Sequence, residues 1–308
     1  MAASETGWVF PGVEALSQGM LRELAAEDRV VTETFAEASE ALSFDLWKLL
    51  QEGPPDQLNQ LAKAEPAMLT AGVAAYRSVV RQGASHPAVV TGYGLGEYAA
   101  LESAGVMTLK TAVRLVELRG QLMAEATAAG HGAVALIQGL EAADVRAICD
   151  EAQKNDCVSV SAYRLPKAVT IGGNRIAVER ASELCKSKGA RVFQPRDGVP
   201  ANTLLMKPAA EKFAEAVKGL ELKSPQATPV CNATGAVPAD VEAIRQNIIA
   251  SFYTPIQWTQ CMKTVADQGV RRVLVLGGDG GLAQAVKQNG DFTTVVVKDV
   301  ASRDQAAE

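Results

Sequence analysis

Short apolar runs alternate with amphipathic stretches along most of this 308-residue chain. Residues 8–10 form the first run, which ends at Pro11-Gly12, and residues 88–91 form another; RRVLVLGG and TTVVVKDV follow near the end. Apolar runs of this length, separated by helical patterns, predict parallel strands with helices on both faces of the sheet. We therefore expect an α/β fold with a mostly parallel sheet.

Helical patterns fill the spaces between these strands. The region 14–50 is helix-rich, and Ser43-Phe44-Asp45 predicts a break and an N-cap before the next helix. We expect a further helix to begin at Pro66, and others to span 95–104 and 108–126. The final residues, SRDQAAE, are expected to be a frayed tail.

The pattern changes near Gly132. From there to about residue 196 it predicts strand, helix, strand, strand, helix and strand. This order is typical of a ferredoxin-like unit and is complete within about 65 residues. We predict a small subdomain at 131–196, inserted into a large subdomain formed by 1–130 and 197–308.

The segment VVTGYGLGEY at 89–98 predicts a strand, a sharp glycine turn and a helix. A nucleophile elbow has the same layout, with a serine or cysteine at the centre of G-x-S-x-G. The central residue here is Gly94, which has no side chain to act as a nucleophile. Alternatives are an ordinary tight turn or an anion cradle at the helix N-terminus near Leu95; as a dinucleotide-binding signal the pattern is weak.

Arg119 lies on an apolar helix stripe, because Ala112, Val116, Arg119 and Met123 recur at 4-3-4 spacing. A buried guanidinium without a partner is costly, so Arg119 requires an anion. The sequence leaves two kinds of partner open: a ligand, or an internal carboxylate such as Glu97 or Glu65.

Charge and cysteine content exclude several classes of function. The net charge is −5 with no basic tract, which argues against a nucleic-acid partner. The five cysteines are widely spaced without a C-x-x-C pair, so we expect neither disulfides nor a metal site. No signal peptide or membrane-spanning segment is evident, and a cytoplasmic location is expected.

The segment GYGLGEYAALESAGVMTLKTAVRLVELRGQLM resembles the GHSLGEYAAL…RG-x-LM region of malonyl-CoA:acyl-carrier-protein transacylases, which include the acyltransferase domains of fatty acid and polyketide synthases. Similar matches run in order through the chain, from VFPG to CNATG, TPIQWTQCM and GGDGGLAQAV. The resemblance implies an α/β-hydrolase-like large subdomain with the ferredoxin-like insert. It also implies an acyl carrier protein or a coenzyme A thioester as partner, with no cofactor.

The chain departs from this family at the positions that carry catalysis. The family's histidine-serine pair at the elbow is replaced by Tyr93-Gly94, and its second histidine, the general base, by Asn202. Asparagine cannot take up a proton near neutral pH. Neither remaining histidine, His86 or His131, falls at a catalytic position.

Other positions of the family's pocket are replaced or kept. By the resemblance, the oxyanion glutamine aligns with Val13, whose backbone N–H could still act beside that of Leu95. A pocket glutamine aligns with Glu65, and an asparagine of the insert aligns with Ala162. Arg119 is kept; the family uses the matching arginine to clamp the malonyl carboxylate.

Three functions are compatible with these substitutions. The leading hypothesis is a non-catalytic pseudoenzyme, acting as a binding or scaffolding partner of a carrier protein or of other synthase components. A second is an active acyl-thioester transferase or hydrolase with an altered mechanism around Tyr93 and Asn202. A third is a non-covalent binder of a carboxylated acyl thioester through Arg119.

Overall fold

A computed structural model describes residues 5–127, 131–195 and 198–308. The strands are β1 Thr6–Phe10, β2 Val89–Gly92, β3 Gly132–Gln138, β4 Val158–Leu165, β5 Ala168–Asn174, β6 Arg191–Phe193, β7 Thr228–Pro229, β8 Arg272–Leu276 and β9 Thr293–Val297. The helices are α1 Arg22–Glu27, α2 Val30–Leu42, α3 Leu46–Glu52, α4 Pro55–Leu58, α5 Leu61–Arg81, α6 Gly96–Ser103, α7 Leu109–Ala126, α8 Ala142–Gln153, α9 Arg175–Ser187, α10 Lys207–Lys218, α11 Val241–Ala250, α12 Trp258–Asp267, α13 Leu282–Gln288 and α14 Val300–Ala307.

The larger sheet is parallel throughout, in the order β7-β2-β1-β8-β9. Trp8 and Phe10 of the central strand point to one face, into a core built largely from α2, α5, α6, α7 and α10. Val9 points to the other face, where α12 and α13 supply the apolar cover. Burial on both faces explains the continuous apolar runs of these strands, and the predicted parallel α/β sheet is confirmed.

The smaller sheet is antiparallel, in the order β4-β5-β3-β6, with α8 and α9 packed on it. This strand order is the ferredoxin-like arrangement that the sequence predicts. Residues 128–130 and 196–197, where the predicted subdomain boundaries fall, lie outside the described residues. The division at 131 and 197 therefore stays a prediction.

The two sheets are joined through the segment before α12. The N–H of Ile256 donates to the carbonyl of Ser161 at 2.9 Å, and that of Tyr163 donates to the carbonyl of Ile256 at 2.8 Å. Ile256 thereby forms a parallel bridge with Ala162 of β4. This junction brings β4 close to the loop that follows β2.

Two predicted element boundaries are wrong. Helix α5 begins at Leu61, and Pro66 lies inside it. Proline removes one helical hydrogen bond there, but the first turn is held against α7, where a Cβ on Gly120 would meet the backbone of Leu61. Tight packing between the two helices therefore extends α5 past the proline signal.

The final residues form helix α14 instead of a frayed tail. Asp299 and Ser302 make a reciprocal capping box at its start, which satisfies backbone N–H groups that would otherwise lack partners. Arg303 and Ala306 are buried, so one face of the helix is anchored to the domain. Across the described ranges, no helix is both long enough and apolar enough to cross a membrane.

Candidate functional site

The predicted elbow is present between β2 and α6. Gly94, at its centre, has φ +57°. Residues that carry a Cβ atom adopt this left-handed backbone conformation only with strain. A Cβ on Gly94 would meet only the Cδ1 atom of Ile256, at 3.4 Å. The turn therefore has the strained geometry of an elbow together with room for a small side chain, but it carries no nucleophile.

A buried hydrogen-bond network holds this turn. Asn232 accepts from the N–H of Gly94 at 2.7 Å and donates through its side chain to the carbonyl of Gly92 at 2.6 Å. The carboxylate of Glu97 in turn accepts from the backbone N–H of Asn232 at 2.9 Å and from the side-chain amide of Asn247 at 2.7 Å. The elbow is thus fixed by side chains from α6, from the segment after β7 and from α11.

Asn232 and Asn247 were given no role from the sequence. The signal for Asn232 was its place in CNATG, just after a strand. Strand β7 pairs in parallel with β2, so the residues that follow both strands meet at the same edge of the sheet. Burial raises the pKa of Glu97 to about 7, and the hydrogen bonds from Asn232 and Asn247 offset part of that rise.

A cavity of about 510 Å³ opens beside the elbow. Seven of the positions singled out from the sequence line it: Val13, Glu65, Tyr93, Gly94, Leu95, Arg119 and Asn202. Ala162, the aligned position in the insert, is not among the lining residues. The seven lining positions come from segments far apart in the chain. The structure therefore places these positions together, whereas their roles depend on the chemistry that each can still supply.

Arg119 and Glu65 form a buried ion pair in the cavity wall. The Nη1 atom of Arg119 donates to Oε1 of Glu65, and the two side chains are 5% and 3% exposed. Burial disfavours the charged guanidinium, but the charge and hydrogen bond of Glu65, together with Tyr98 and Glu97, outweigh this and raise the pKa of Arg119. Of the two internal partners considered from the sequence, Glu65 is the one that contacts Arg119, while Glu97 belongs to the elbow network.

The ion pair is incompletely satisfied. Within the described part of the chain, neither Oε2 of Glu65 nor Nε of Arg119 has a hydrogen-bond partner, and both atoms are buried. A bidentate arginine–carboxylate pair would use two parallel hydrogen bonds. The observed contact is a single hydrogen bond.

Tyr93 lines the cavity, and its ring is held there by packing. Its ring meets that of Trp258 edge-on, with centroids 5.4 Å apart, and the guanidinium carbon of Arg164 lies 5.1 Å from its centroid. Burial raises the pKa of Tyr93, which keeps the phenol protonated near neutral pH.

Asn202 is committed to the backbone. It adopts φ +61°, and its side-chain amide donates to the carbonyl of Ser251 at 2.5 Å. The residue is 7% exposed. An amide in this position can orient a neighbour but cannot accept a proton as a general base.

Backbone donors of the site are retained. Val13 and Leu95 both line the cavity, and no described residue accepts a hydrogen bond from the N–H of either. Leu95 precedes the first turn of α6, where the helix dipole favours negative charge. Two backbone N–H groups beside the elbow could therefore still bind an oxygen that carries partial negative charge.

Glu14 is a cavity residue that the sequence analysis missed. Its carboxylate folds back toward Gly12, where an added Cβ would meet Oε2. Glu14 is exposed, yet the surrounding protein raises the pKa of its carboxyl, and backbone hydrogen bonds and the charge of Arg164 oppose the rise. An acidic residue directly after Val13, at the end of a Pro-Gly turn, was the available signal.

Other candidates for chemistry lie elsewhere. His86 and His131 are exposed, and neither lines the cavity. Burial raises the pKa of all five cysteine thiols, so none is poised as a thiolate. Over 5–127, 131–195 and 198–308, no group of three or more histidine, cysteine or acidic residues could hold a metal ion.

Comparison with known proteins identifies the architecture. The acyl transferase domain family matches residues 7–300. The chain is 41% identical to the malonyl CoA-acyl carrier protein transacylase of Escherichia coli K12 over 292 residues, which is 94% of both chains.

Solved structures agree with this relationship. An acyl carrier protein S-malonyltransferase from Vibrio cholerae superposes with a TM-score of 0.95 at 41% identity, covering 98% of this chain and 99% of that one. A malonyl-transacylase in complex with a type II PKS acyl-carrier protein gives a TM-score of 0.96 at 40% identity, with 99% of both chains covered. The chain belongs to the acyl transferase domain family.

Proposed function

We propose that this protein binds acyl thioesters and an acyl carrier protein without forming an acyl-enzyme, as a pseudoenzyme of fatty acid or polyketide biosynthesis. Covalent acyl transfer needs a nucleophile and a base that accepts its proton. The observation that carries the proposal is the pair Gly94 and Asn202: the elbow centre has no side chain, and the amide at the base position is bonded to Ser251.

The partner is inferred from the relatives. The Escherichia coli relative is named for the transfer of malonyl groups to acyl carrier protein, and a structural relative is a complex with such a carrier. Because this chain matches both over nearly its full length, we propose an acyl carrier protein or a coenzyme A thioester as its ligand. A cytoplasmic location fits that role.

Two features support ligand binding over scaffolding alone. The cavity beside the elbow is open, and Tyr93 does not fill it because its ring packs against Trp258. The backbone N–H groups of Val13 and Leu95 are available to a thioester carbonyl oxygen. A protein that only scaffolded a complex would not need either feature.

The hydrolase alternative receives less support from the geometry. Tyr93 has a raised pKa and Asn202 is held by Ser251, so neither is suited to activate water. If Tyr93 were essential to turnover, Tyr93→Phe would abolish hydrolysis of acyl-CoA while leaving the fold intact. We expect the parent protein and Tyr93→Phe both to show no hydrolysis above background.

The decisive test is acylation. Purified protein is incubated with radiolabelled malonyl-CoA and, separately, acetyl-CoA, and the label retained after denaturing precipitation is counted. The Escherichia coli transacylase is run alongside as the positive control. We expect no retained label; one equivalent of label per chain would disprove the non-catalytic assignment.

Binding is tested separately by calorimetry with a holo-acyl carrier protein and with acetyl-CoA. Saturable binding of either ligand, without acylation, is expected. Absence of binding to both would refute the ligand-binding role and leave a scaffolding role only.

A further inference from the structure

Three charged side chains line the cavity: Glu65 and Arg119, which are buried, and Glu14, which is exposed. The only positive one of the three, Arg119, is already paired with Glu65. Two carboxylates and one guanidinium give these lining side chains a net charge of −1 when all are ionised. The rest of the wall includes apolar side chains such as Leu58, Leu61 and Met123.

A carboxylated ligand would meet an unfavourable wall. To reach Arg119, its carboxylate would have to replace Glu65, which is 3% exposed and would be left as a buried charge without a partner. If the pair stayed intact, the ligand would bury its own charge beside Glu65 and near Glu14. Each arrangement therefore leaves one carboxylate, that of Glu65 or that of the ligand, without a compensating charge.

An uncharged acyl group avoids both costs. It can lie against the apolar part of the wall while its thioester carbonyl faces the backbone N–H groups of Val13 and Leu95. The ion pair then stays intact as part of the wall. The cavity volume of about 510 Å³ is sufficient for a short acyl chain.

We propose that Glu65 acts as an internal carboxylate that occupies Arg119, so that the cavity accepts uncharged acyl groups and rejects carboxylated ones. This inference rests on the proposed function, because it assigns the ligand class of the same cavity.

The test compares two thioesters of nearly equal size. Malonyl-CoA ends in a carboxylate, whereas acetoacetyl-CoA has a methyl group in place of one carboxylate oxygen. The coenzyme A part is common to both. Binding of each to the parent protein is measured by isothermal titration calorimetry, with free coenzyme A as reference. We expect acetoacetyl-CoA to bind at least tenfold more tightly than malonyl-CoA.

Glu65→Gln releases the charge of Arg119 while keeping the side-chain volume. We expect malonyl-CoA to bind at least tenfold more tightly to this variant than to the parent, and acetoacetyl-CoA to change by less than threefold. Glu14→Gln is the matched control, because it removes a cavity carboxylate without touching the ion pair. Its effect on malonyl-CoA is expected to be smaller than that of Glu65→Gln.

A second variant covers the possibility that Glu65→Gln folds poorly. Glu65→Leu/Arg119→Met removes both charges together and should keep the preference for acetoacetyl-CoA. Two results would overturn the role assigned to Glu65: tighter binding of malonyl-CoA than of acetoacetyl-CoA by the parent, or a gain in malonyl-CoA binding from Glu14→Gln that equals the gain from Glu65→Gln. Either result would leave the proposed acyl-binding function in place. Failure of both thioesters to bind more tightly than free coenzyme A would overturn the proposed acyl-binding function, and this inference with it.

Discussion

The Oδ1 atom of Asn232 accepts a hydrogen bond from the backbone N–H of Gly94 at 2.7 Å, across 138 residues of sequence. The same side chain donates to Gly92, so one amide spans both sides of the turn. Because Asn232 is 1% exposed, these bonds form away from competing water. The geometry of the elbow therefore depends on Asn232 as well as on backbone hydrogen bonds within the turn, such as that from the N–H of Gly96 to the carbonyl of Tyr93 at 3.1 Å.

Asn232→Ala is expected to destabilise the protein substantially. It removes both side-chain hydrogen bonds, so the buried carbonyl of Gly92 and the half-buried N–H of Gly94 lose these partners. Each unsatisfied buried group costs about 1–3 kcal/mol, so we expect a loss of about 3 kcal/mol in the free energy of unfolding. Chemical denaturation measures it.

The control for this variant is Asn59→Ala, which truncates an exposed asparagine at the edge of the same cavity. A change within about 0.5 kcal/mol is expected for the control. If Asn232→Ala changed the free energy of unfolding as little as the control does, the hydrogen bonds of Asn232 would not be what holds the elbow.

Gly94→Ser should fold with a modest loss of stability. The new side chain has room beside Ile256, but a non-glycine residue at φ +57° costs about 1–2 kcal/mol. We expect thermal denaturation to show a single cooperative transition at a slightly lower temperature than for the parent.

Acylation assays on two variants distinguish the effect of a nucleophile at position 94 from that of a base at position 202. Gly94→Ser alone is expected to stay unacylated by malonyl-CoA or acetyl-CoA over minutes, because Asn202 cannot take the serine proton. Adding Asn202→His should allow acylation, detected as a mass increase of the intact protein. Equal acylation of the single and double variants would show that another group serves as base.

Stability should fall as the pH rises from about 5 to 8, with Glu97 as a main cause. Its pKa is about 7 in the folded protein, raised from an ordinary value of 4.5 by burial. The folded state therefore retains a proton that the unfolded state has released, and raising the pH through this window favours unfolding. A rise of this size corresponds to about 3 kcal/mol.

Glu97→Gln removes the titration while keeping an oxygen that can accept from Asn232 and Asn247. The free energy of unfolding of the parent, minus that of Glu97→Gln, is expected to decrease by about 3 kcal/mol between pH 5 and pH 8. Glu33→Gln, at an exposed position, should reproduce the pH dependence of the parent. A parent and a Glu97→Gln variant with parallel pH profiles would contradict the assignment.

The Arg119–Glu65 pair should be costly to break and cheap to replace. Arg119→Met leaves Glu65 as a buried charge without a partner and is expected to cost about 3–5 kcal/mol in the free energy of unfolding. The double variant Glu65→Leu/Arg119→Met should lie within about 1 kcal/mol of the parent or exceed it. A double-mutant cycle by urea denaturation measures the coupling energy between the two side chains. If the changes in the free energy of unfolding of the two single variants summed to that of the double variant, there would be no coupling.

Much of the architecture was determined by the local pattern of residues. The runs that became β1, β2, β8 and β9 are mainly apolar because both faces of a parallel sheet are covered, and this signal does not depend on distant contacts. The capping residues Asp45 and Thr108 set helix starts through local hydrogen bonds. That Gly94 carries no nucleophilic side chain and Asn202 no proton acceptor also follows from the sequence, because it concerns residue identity alone.

Only the tertiary structure decided which partners the buried polar groups meet. Arg119 needed an anion, but the choice of Glu65 over Glu97 depends on how α5 packs against α7. Likewise, the hydrogen bond between Asn232 and Gly94 depends on β7 lying beside β2. Helix α5 continues through Pro66 because α7 packs against its first turn. Hydropathy and spacing describe what each segment buries, whereas the pairing of charges and amides is settled by long-range packing.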